Sequence, residues 1–238
     1  KFKIQLTYNE ALQAEESSII NGCLILKQPS YKDRAFRKRE DFNSVLALEL
    51  LSVSKEMFSD SDLKSVLMLK LVQIEGDCKR SPFSDTLLVN CYFPRLLTVV
   101  DHAFAFCSLK ELTSDGFPVL KAVGTGGFSG CKKIASINLK SLRTIGVNAF
   151  FDCPVVKVEL PNLLKMEERG FHFCQKLQQF SAPLLREVGG SCFAYCQQLT
   201  AINCSVGKDQ FVCSCRRCPV CTGELDACLK RGKAELAQ

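Results

Sequence analysis

The chain of 238 residues contains no tryptophan and only two histidines, His102 and His172. It also lacks an HExxH motif, a GxSxG motif and a cluster of acidic residues. Hydrolases of the metal-dependent and serine classes need such groups at short, defined spacings. We therefore expect no catalytic centre and no enzyme activity, and we interpret each histidine as a packed or solvated turn residue.

The sequence has no long apolar run either. The best stretch, residues 45–53, is short and is interrupted by Glu49, whereas a membrane-spanning helix needs roughly 18 apolar residues. We predict no transmembrane segment in this chain. Because it begins at Lys1 rather than at a methionine, we expect a mature or trimmed fragment, from which a signal peptide or anchor could have been removed.

An excess of charge of one sign is absent as well. The formal net charge is +6, and 24% of the residues are charged. The clearest basic segment, residues 32–41, mixes five basic with three acidic side chains. A nucleic-acid-binding protein is expected to cluster basic residues on one face beside exposed aromatics, so we predict no nucleic-acid partner. The segment is interpreted as a solvated surface, with a polyanion or membrane-headgroup contact as the alternative.

Phenylalanine and cysteine are abundant, at 17 and 15 residues, and they recur together. Three degenerate copies of the motif, at Phe36, Phe58 and Phe83, precede five complete ones, and successive phenylalanines are 21 to 25 residues apart. A fixed period of this size predicts a solenoid, in which stacked units bury apolar faces that no unit could bury alone. We expect the eight phenylalanines to stack as an aromatic spine. The five Phe-x-x-Cys pairs are Phe104/Cys107, Phe128/Cys131, Phe150/Cys153, Phe171/Cys174 and Phe193/Cys196.

Apolar residues recur at constant offsets around these phenylalanines. Valine, isoleucine or methionine stands five positions before each complete motif, and leucine stands eight before it. After the motif comes a short alternating run, such as Ile134, Ile137 and Leu139, which predicts a strand with one buried face. Several copies then place a proline, such as Pro161, where the strand must end. Each unit therefore reads as strand, turn, apolar stretch and tight turn.

A glycine-rich segment, residues 123–130, has the sequence VGTGGFSG and resembles a phosphate-binding loop. Gly124 nevertheless occupies the same repeat position as Gly146 and Gly189, and no Lys-Ser or Lys-Thr pair follows. A P-loop requires that pair. The segment is interpreted as a repeat turn that needs the backbone freedom of glycine.

The repeat unit resembles a known family. Residues 141–163, SLRTIGVNAFFDCPVVKVELPNL, are similar to the BspA-type (Treponema pallidum-type) leucine-rich repeat, whose pattern is L-x-x-I-G-x-x-A-F-x-x-C-x-x-L-x-x-I-x-L-P. The match is close from about residue 95 to 203 and loose from 31 to 93. The resemblance implies a curved, right-handed solenoid with a parallel β-sheet on its concave face. Proteins of this family occur on the surfaces of bacteria and parasitic protists and are associated with adhesion to host or matrix proteins.

We therefore predict a leucine-rich-repeat solenoid of about eight units of 21–25 residues. Residues 1–30 are expected to form an N-terminal cap, residues 31–204 the solenoid and residues 205–238 a Cys-rich C-terminal cap. The segment KFKIQLTYNE at the N-terminus is interpreted as an opening strand.

Outward strand positions on the concave sheet are the candidate ligand-binding residues. They are mixed in charge and mostly small and polar, which suits a protein partner better than a lipid or a nucleic acid. The alternative is that they are ordinary solvated strand residues. The candidates are Asn90, Tyr92, Glu111, Thr113, Ser136, Asn138, Lys157, Glu159, Gln179, Ser181 and Asn203.

Eleven of the 15 cysteines form two groups, and Cys23, Cys78, Cys91 and Cys192 lie outside both. The five motif cysteines are related by translation along the stack, about 4.8 Å apart and parallel, whereas a disulfide needs Cβ atoms about 3.8 Å apart at a steep dihedral angle. We predict buried free thiols for this group. The second group follows the last repeat and is expected to cap the open end of the solenoid. Its members are Cys204, Cys213, Cys215, Cys218, Cys221 and Cys228.

Two interpretations are consistent with the sequence of the second group of cysteines. Six cysteines could form three disulfides. Alternatively, the overlapping CxxC pairs could bind zinc through Cys213, Cys215, Cys218 and Cys221. An iron–sulfur centre is disfavoured because the usual fourth cysteine and its following proline are missing.

These observations lead to two main functional hypotheses, and a Cys-based redox enzyme or hydrolase is the third class considered. The first is a non-enzymatic adhesion or recognition module without a cofactor, secreted or at the cell surface, that binds host or matrix proteins through its concave sheet. The second is a cytoplasmic scaffold of the same fold with a zinc-bound cap. The repeat pattern determines the fold far more specifically than the partner.

Overall fold

A computed structural model describes residue 6, residues 8–76 and residues 81–234. Short strands make up most of the regular structure. The helices are α1 (Tyr8–Gln13), α2 (Pro219–Thr222) and α3 (Leu225–Ala234), with one 3₁₀ helix at Lys208–Gln210. The strands, in chain order, are β1 (Ile19–Ile20), β2 (Cys23–Leu26), β3 (Ser44–Ala47), β4 (Ser52–Val53), β5 (Ser65–Met68), β6 (Gln73–Ile74), β7 (Asn90–Tyr92), β8 (Thr98–Val99), β9 (Glu111–Thr113), β10 (Ala122–Val123), β11 (Ser136–Asn138), β12 (Thr144–Ile145), β13 (Lys157–Glu159), β14 (Lys165–Met166), β15 (Gln179–Ala182), β16 (Glu187–Val188) and β17 (Ala201–Cys204).

The repeat units stack in two ladders of strands, and every unit from β3 to β16 contributes one strand to each ladder. The first ladder contains β2, β3, β5 and β7, and after a break it continues as β9, β11, β13, β15 and β17. The second contains β4 and β6, and after a break β8, β10, β12, β14 and β16. All of these strands pair in parallel, and their register follows the repeat period, so that Ile137 lies beside Val158 and Val123 beside Ile145. The chain is therefore a parallel β-solenoid of about eight turns, as predicted.

The predicted aromatic spine is present along the whole stack. Ring centroids of successive repeat phenylalanines are 4.9–6.3 Å apart, and their planes are within 23° of parallel. Phe211 adds a ninth ring, 6.1 Å from Phe193. Each such aromatic contact is worth roughly 0.5–1.5 kcal/mol beyond the burial of its area.

The tight turns that carry the spine have left-handed backbone positions. In VGTGGFSG, Gly126 and Gly130 have φ of +59° and +69°, which confirms the interpretation as a repeat turn that uses glycine. At Gly124 the requirement is space instead, because a Cβ there would lie 2.5 Å from Asp101 Oδ1. Turns of neighbouring units are joined by backbone hydrogen bonds, such as Phe128 N–H to Ala149 O at 2.8 Å.

The motif cysteines are buried free thiols, as predicted. Each one donates a hydrogen bond to the backbone carbonyl of the repeat phenylalanine in the preceding unit, over 3.0–3.2 Å. Burial raises the pKa of Cys107 and of Cys153 to about 12. These thiols therefore stay protonated at neutral pH, and each connects two turns.

At the N-terminal end of the first ladder, β1 pairs antiparallel with β2, and α1 covers outward side chains of β2 and β3. The outward side chains of Ile25 and Leu46 pack with Ala11 of the helix, and all three are buried. Residues 8–10, predicted as part of an opening strand, belong instead to α1, and residues 1–5 and 7 lie outside the described residues. Since β2 already pairs with β3, the ladder includes part of the segment 1–30; the boundary at residue 30 stays a prediction.

The C-terminal end of the ladder is covered by α3. Inside the solenoid, Gln178 O accepts the N–H groups of Thr200 and Ala201. Thr200 O, one unit further, instead accepts Arg231 Nε–H of α3 at 2.7 Å. The helix thus supplies donors that a further strand would have provided, which protects the edge of β17.

Candidate functional site

The first ladder exposes a strip of side chains between the two covered ends, and we name this strip the open face. Its members alternate with buried residues, and each is exposed or half-buried. Ten of the eleven candidate ligand-binding residues lie on it. The open face consists of Asn90, Tyr92, Glu111, Thr113, Ser136, Asn138, Lys157, Glu159, Gln179 and Ser181.

At both ends of the same row, the side chains are covered by helices or buried instead of being exposed. The register places Ile25, Leu46 and Leu67 in line with Tyr92, but these three are apolar and pack beneath α1. At the other end Asn203, a predicted candidate, is only 8% exposed and donates Nδ2–H to Ser181 Oγ at 3.0 Å. The alternating pattern predicts which side chains point outward, but not that helices cover some of them.

Several polar side chains of the open face are joined to one another. Asn138 donates Nδ2–H to Glu159 Oε2 at 2.9 Å, and Lys157 Nζ lies 2.6 Å from Glu159 Oε1. These contacts fix side chains in place and leave less conformational entropy to be lost on binding.

A small pocket opens at the break between β7 and β9. Its volume is about 150 Å³, and its rim carries Asn90, Glu111, Thr113 and Asp115. Neither Glu111 nor Asp115 forms an ion pair with a residue that the structure describes. The pocket therefore presents two uncompensated carboxylates on an otherwise mixed surface.

A cluster of four cysteines forms the second candidate site. The sulfur atoms of Cys213, Cys215, Cys218 and Cys221 all lie within 4.8 Å of one another. The sulfur of Cys221 lies 3.9 Å from that of Cys215 and 3.8 Å from that of Cys218. These are the four residues that the sequence offers as zinc ligands.

Local structure brings the four thiols together. Cys218 is the N-cap of α2, Pro219 follows at the first helical position, and Gly223 ends the helix with φ of +82°. Proline at the start and left-handed glycine at the end are the usual boundaries of a helix. The single turn of α2 carries Cys221 back beside Cys218, while the left-handed Arg216, with φ of +61°, turns the chain between Cys215 and Cys218.

Hydrogen bonds to the sulfur of Cys215 lower the pKa of its thiol. Burial acts to raise its pKa, but hydrogen bonds from the backbone N–H groups of Tyr195 and Arg217, at 3.3 and 3.4 Å, and from the thiols of Cys218 and Cys213 together outweigh that effect. The pKa of Cys215 is lowered to about 6. Burial instead raises the pKa of Cys218, which is fully enclosed.

The remaining two cysteines of the predicted cap lie elsewhere. Cys228, on α3, donates to Leu199 O at 3.3 Å, and Cys204 is buried at the end of β17. Every cysteine of the described residues is free. The structure therefore does not contain the three disulfides considered for these six residues. Only four of the six cysteines converge, and the sulfurs of those four are too far apart for a bond of about 2.05 Å.

The two histidines belong to separate turns. His172 stacks on Tyr195 with ring centroids 5.5 Å apart, and His102 lies over Gly126 of the next unit. Burial lowers the pKa of His172. Both histidines are packed turn residues, in agreement with the interpretation from the sequence.

A family model matches the repeat region of the chain. The family model described as BspA type leucine rich repeat region matches residues 97–211 in six copies. The sixth copy reaches Phe211, the last ring of the spine. No curated protein matches the chain. Within residues 6, 8–76 and 81–234, no helix combines the length and apolarity required to cross a membrane.

Proposed function

Residues 97–211 are a BspA-type leucine-rich repeat region, and from this premise we propose that the protein is a non-enzymatic recognition module that binds a protein partner through the open face. Repeat modules of this family are in general interaction or adhesion modules.

One observation carries the proposal: the chain covers both ends of its first ladder and leaves the centre uncovered. Helix α1 covers the apolar side chains at one end, and α3 covers β17 at the other. Five strands between them, spaced about 4.8 Å apart, present a strip roughly 20 Å long. A regular array of this kind offers many polar groups at fixed spacing, which suits an extended protein surface.

Charge on the open face supports a partner with basic groups near one end. Glu111 and Asp115 stand together at the pocket between β7 and β9, whereas Lys157 is neutralised by Glu159. A lysine or arginine of the partner placed at this pocket would find two carboxylates, and such complementarity favours association and register.

The test reverses the charge of one glutamate at the pocket and, as a control, the charge of one glutamate on the second ladder. Candidate partners are drawn from purified matrix and cell-surface proteins, and binding is measured with Glu111→Lys and with Glu187→Lys. Both glutamates are exposed strand residues, but Glu187 lies on β16 in the second ladder. We expect Glu111→Lys to weaken binding at least tenfold and Glu187→Lys to leave it unchanged. Equal effects of the two variants would contradict use of the open face.

The location we propose is the cell surface or the extracellular space, with a host or matrix protein as partner. The support is the family, whose members are often secreted or surface proteins. The test is immunostaining of intact cells of the source organism with antibody against the open face, compared with permeabilised cells.

A second candidate, an intracellular scaffold with a zinc-bound cap, is favoured by one specific observation. Four thiols of the C-terminal region lie within 4.8 Å of one another, and clustered free thiols are typical of reducing compartments. Staining that appears only after permeabilisation would support this candidate, and the open face would then bind a cytosolic partner.

A further inference from the structure

We infer that Cys213, Cys215, Cys218 and Cys221 bind one zinc ion, and that this zinc site closes the C-terminal end of the solenoid. The second candidate function assumes this zinc-bound cap, whereas binding of a partner to the open face does not depend on it.

The sulfur geometry matches a tetrahedral metal site. Zinc–sulfur bonds of about 2.3 Å place tetrahedral thiolates about 3.8 Å apart. The separations of Cys221 from Cys215 and from Cys218 are 3.9 and 3.8 Å, and all four sulfurs lie within 4.8 Å of one another. A site with four thiolates and no open position is the structural type of zinc centre.

The surroundings of the cluster provide the hydrogen bonds that such a site needs. Backbone N–H groups of Tyr195 and Arg217 point to Cys215 at 3.3 and 3.4 Å, and donors of this kind orient a metal-bound thiolate and offset its charge. Arg231 lies next to Cys228, a fifth cysteine outside the cluster, and contacts the last repeat unit instead.

The same hydrogen bonds connect the cluster to the repeat array. Within the array, the N–H of Phe173 donates to Ala194 O of the next unit at 2.9 Å. Tyr195 holds the equivalent position in the last unit, two residues after its repeat phenylalanine, and its N–H donates to Cys215 Sγ. A cysteine sulfur therefore stands where the next unit would have placed a carbonyl oxygen. Ser191 N–H similarly donates to Val212 O, directly before the cluster.

This arrangement explains how the solenoid ends without a further repeat. Phe211 covers the ring of Phe193, α3 covers β17, and the cysteine cluster covers the last tight turn. The segment that carries the cluster has little regular structure of its own, since α2 has only four residues. Metal binding would add folding free energy to this segment, as it does in other small domains.

The experiment uses the full chain, expressed with zinc and purified without a chelator. Metal content is measured by elemental analysis, and the metal-free protein is then titrated with cobalt(II), whose tetrahedral thiolate complexes absorb visible light. Cys221→Ala removes one ligand, and Cys204→Ala is the control that removes a cysteine outside the cluster. Cys213→Ala, which removes another half-exposed ligand, is the second test variant if Cys221→Ala does not fold.

We expect one zinc per chain in the wild type and in Cys204→Ala. Loss of a ligand should weaken cobalt binding at least about 100-fold, since second-shell changes alone cost 10–100-fold. A denatured mass that has lost two hydrogens per bridge at these cysteines would overturn the inference. So would iron in place of zinc, or full metal binding by the ligand variants.

Discussion

The guanidinium Nε–H of Arg231 donates to Thr200 O at 2.7 Å, at the carbonyl that a further repeat unit would bind through its backbone. A side chain on a helix thus replaces a β-strand. The contact requires α3 to lie very close to β17, and this closeness depends on a glycine. The glycine at position 232 allows helix and strand backbones to touch.

Replacement of Gly232 should destabilise the cap. In a helix interior, Gly→Ala normally stabilises by about 1 kcal/mol. At position 232, however, a Cβ would lie 2.3 Å from the backbone carbonyl of Ile202, so we expect a loss of about 1–3 kcal/mol from overpacking. Urea unfolding of Gly232→Ala is compared with that of Lys230→Ala, an exposed change on the same helix. An alanine variant as stable as the wild type would contradict the packing of α3.

Removal of one ring from the spine should cost far more than removal of an exposed ring. Phe150 is fully buried between Phe128 and Phe171, and we expect Phe150→Ala to lower the free energy of unfolding by about 3–5 kcal/mol. Phe106 is 59% exposed, and Phe106→Ala should change it by less than about 0.5 kcal/mol. Denaturant unfolding followed by circular dichroism measures both. Similar values for the two variants would argue against the stacked spine.

Metal removal should loosen the C-terminal turn selectively. If the cluster holds the last unit through Tyr195 N–H, treatment with a chelator should increase hydrogen exchange at Ser191 and Tyr195. Exchange at Phe128, three units away in the spine, should stay slow, because each unit of a solenoid contacts mainly its neighbours. The measurement is hydrogen–deuterium exchange by mass spectrometry. A uniform increase along the chain would mean that the metal stabilises the fold in some other way.

Alkaline pH should destabilise the protein through the motif cysteines. Burial raises the pKa of Cys107 and Cys153 from 9.0 to about 12. Below pH 9 these thiols are protonated in both states, and their contribution is fully present. As pH rises from about 9 to 12, the unfolded chain loses protons that the folded chain keeps, so stability falls. Thermal unfolding between pH 8 and 11 should show a steady decrease that is smaller in Cys153→Ala. A flat profile would contradict the burial of these thiols.

The repeat units show how much of the architecture is predictable. The Phe-x-x-Cys period predicts the stacking of Phe36 through Phe193, and the alternating runs predict which residues of β9, β11, β13 and β15 point outward. Both depend on a regularity that every unit repeats. The additional ring of Phe211 has no Phe-x-x-Cys motif, so the period alone could not predict it; the sequence signal closest to it is the apolar pair Phe211 and Val212 after the last strand.

The amino-acid sequence by itself determined the solenoid, its spine, its thiol ladder and the outward row of side chains. The reason is that the units are related by translation along the stack, so a residue at a given repeat position makes the same kind of contact in every unit. Tertiary structure decided what is not repeated: that α1 covers the first strands, that α3 ends the ladder at β17, and that four of six C-terminal cysteines converge while Cys204 and Cys228 do not. These contacts join segments without a common period, so only the folded arrangement of loop, helix and last repeat brings them together.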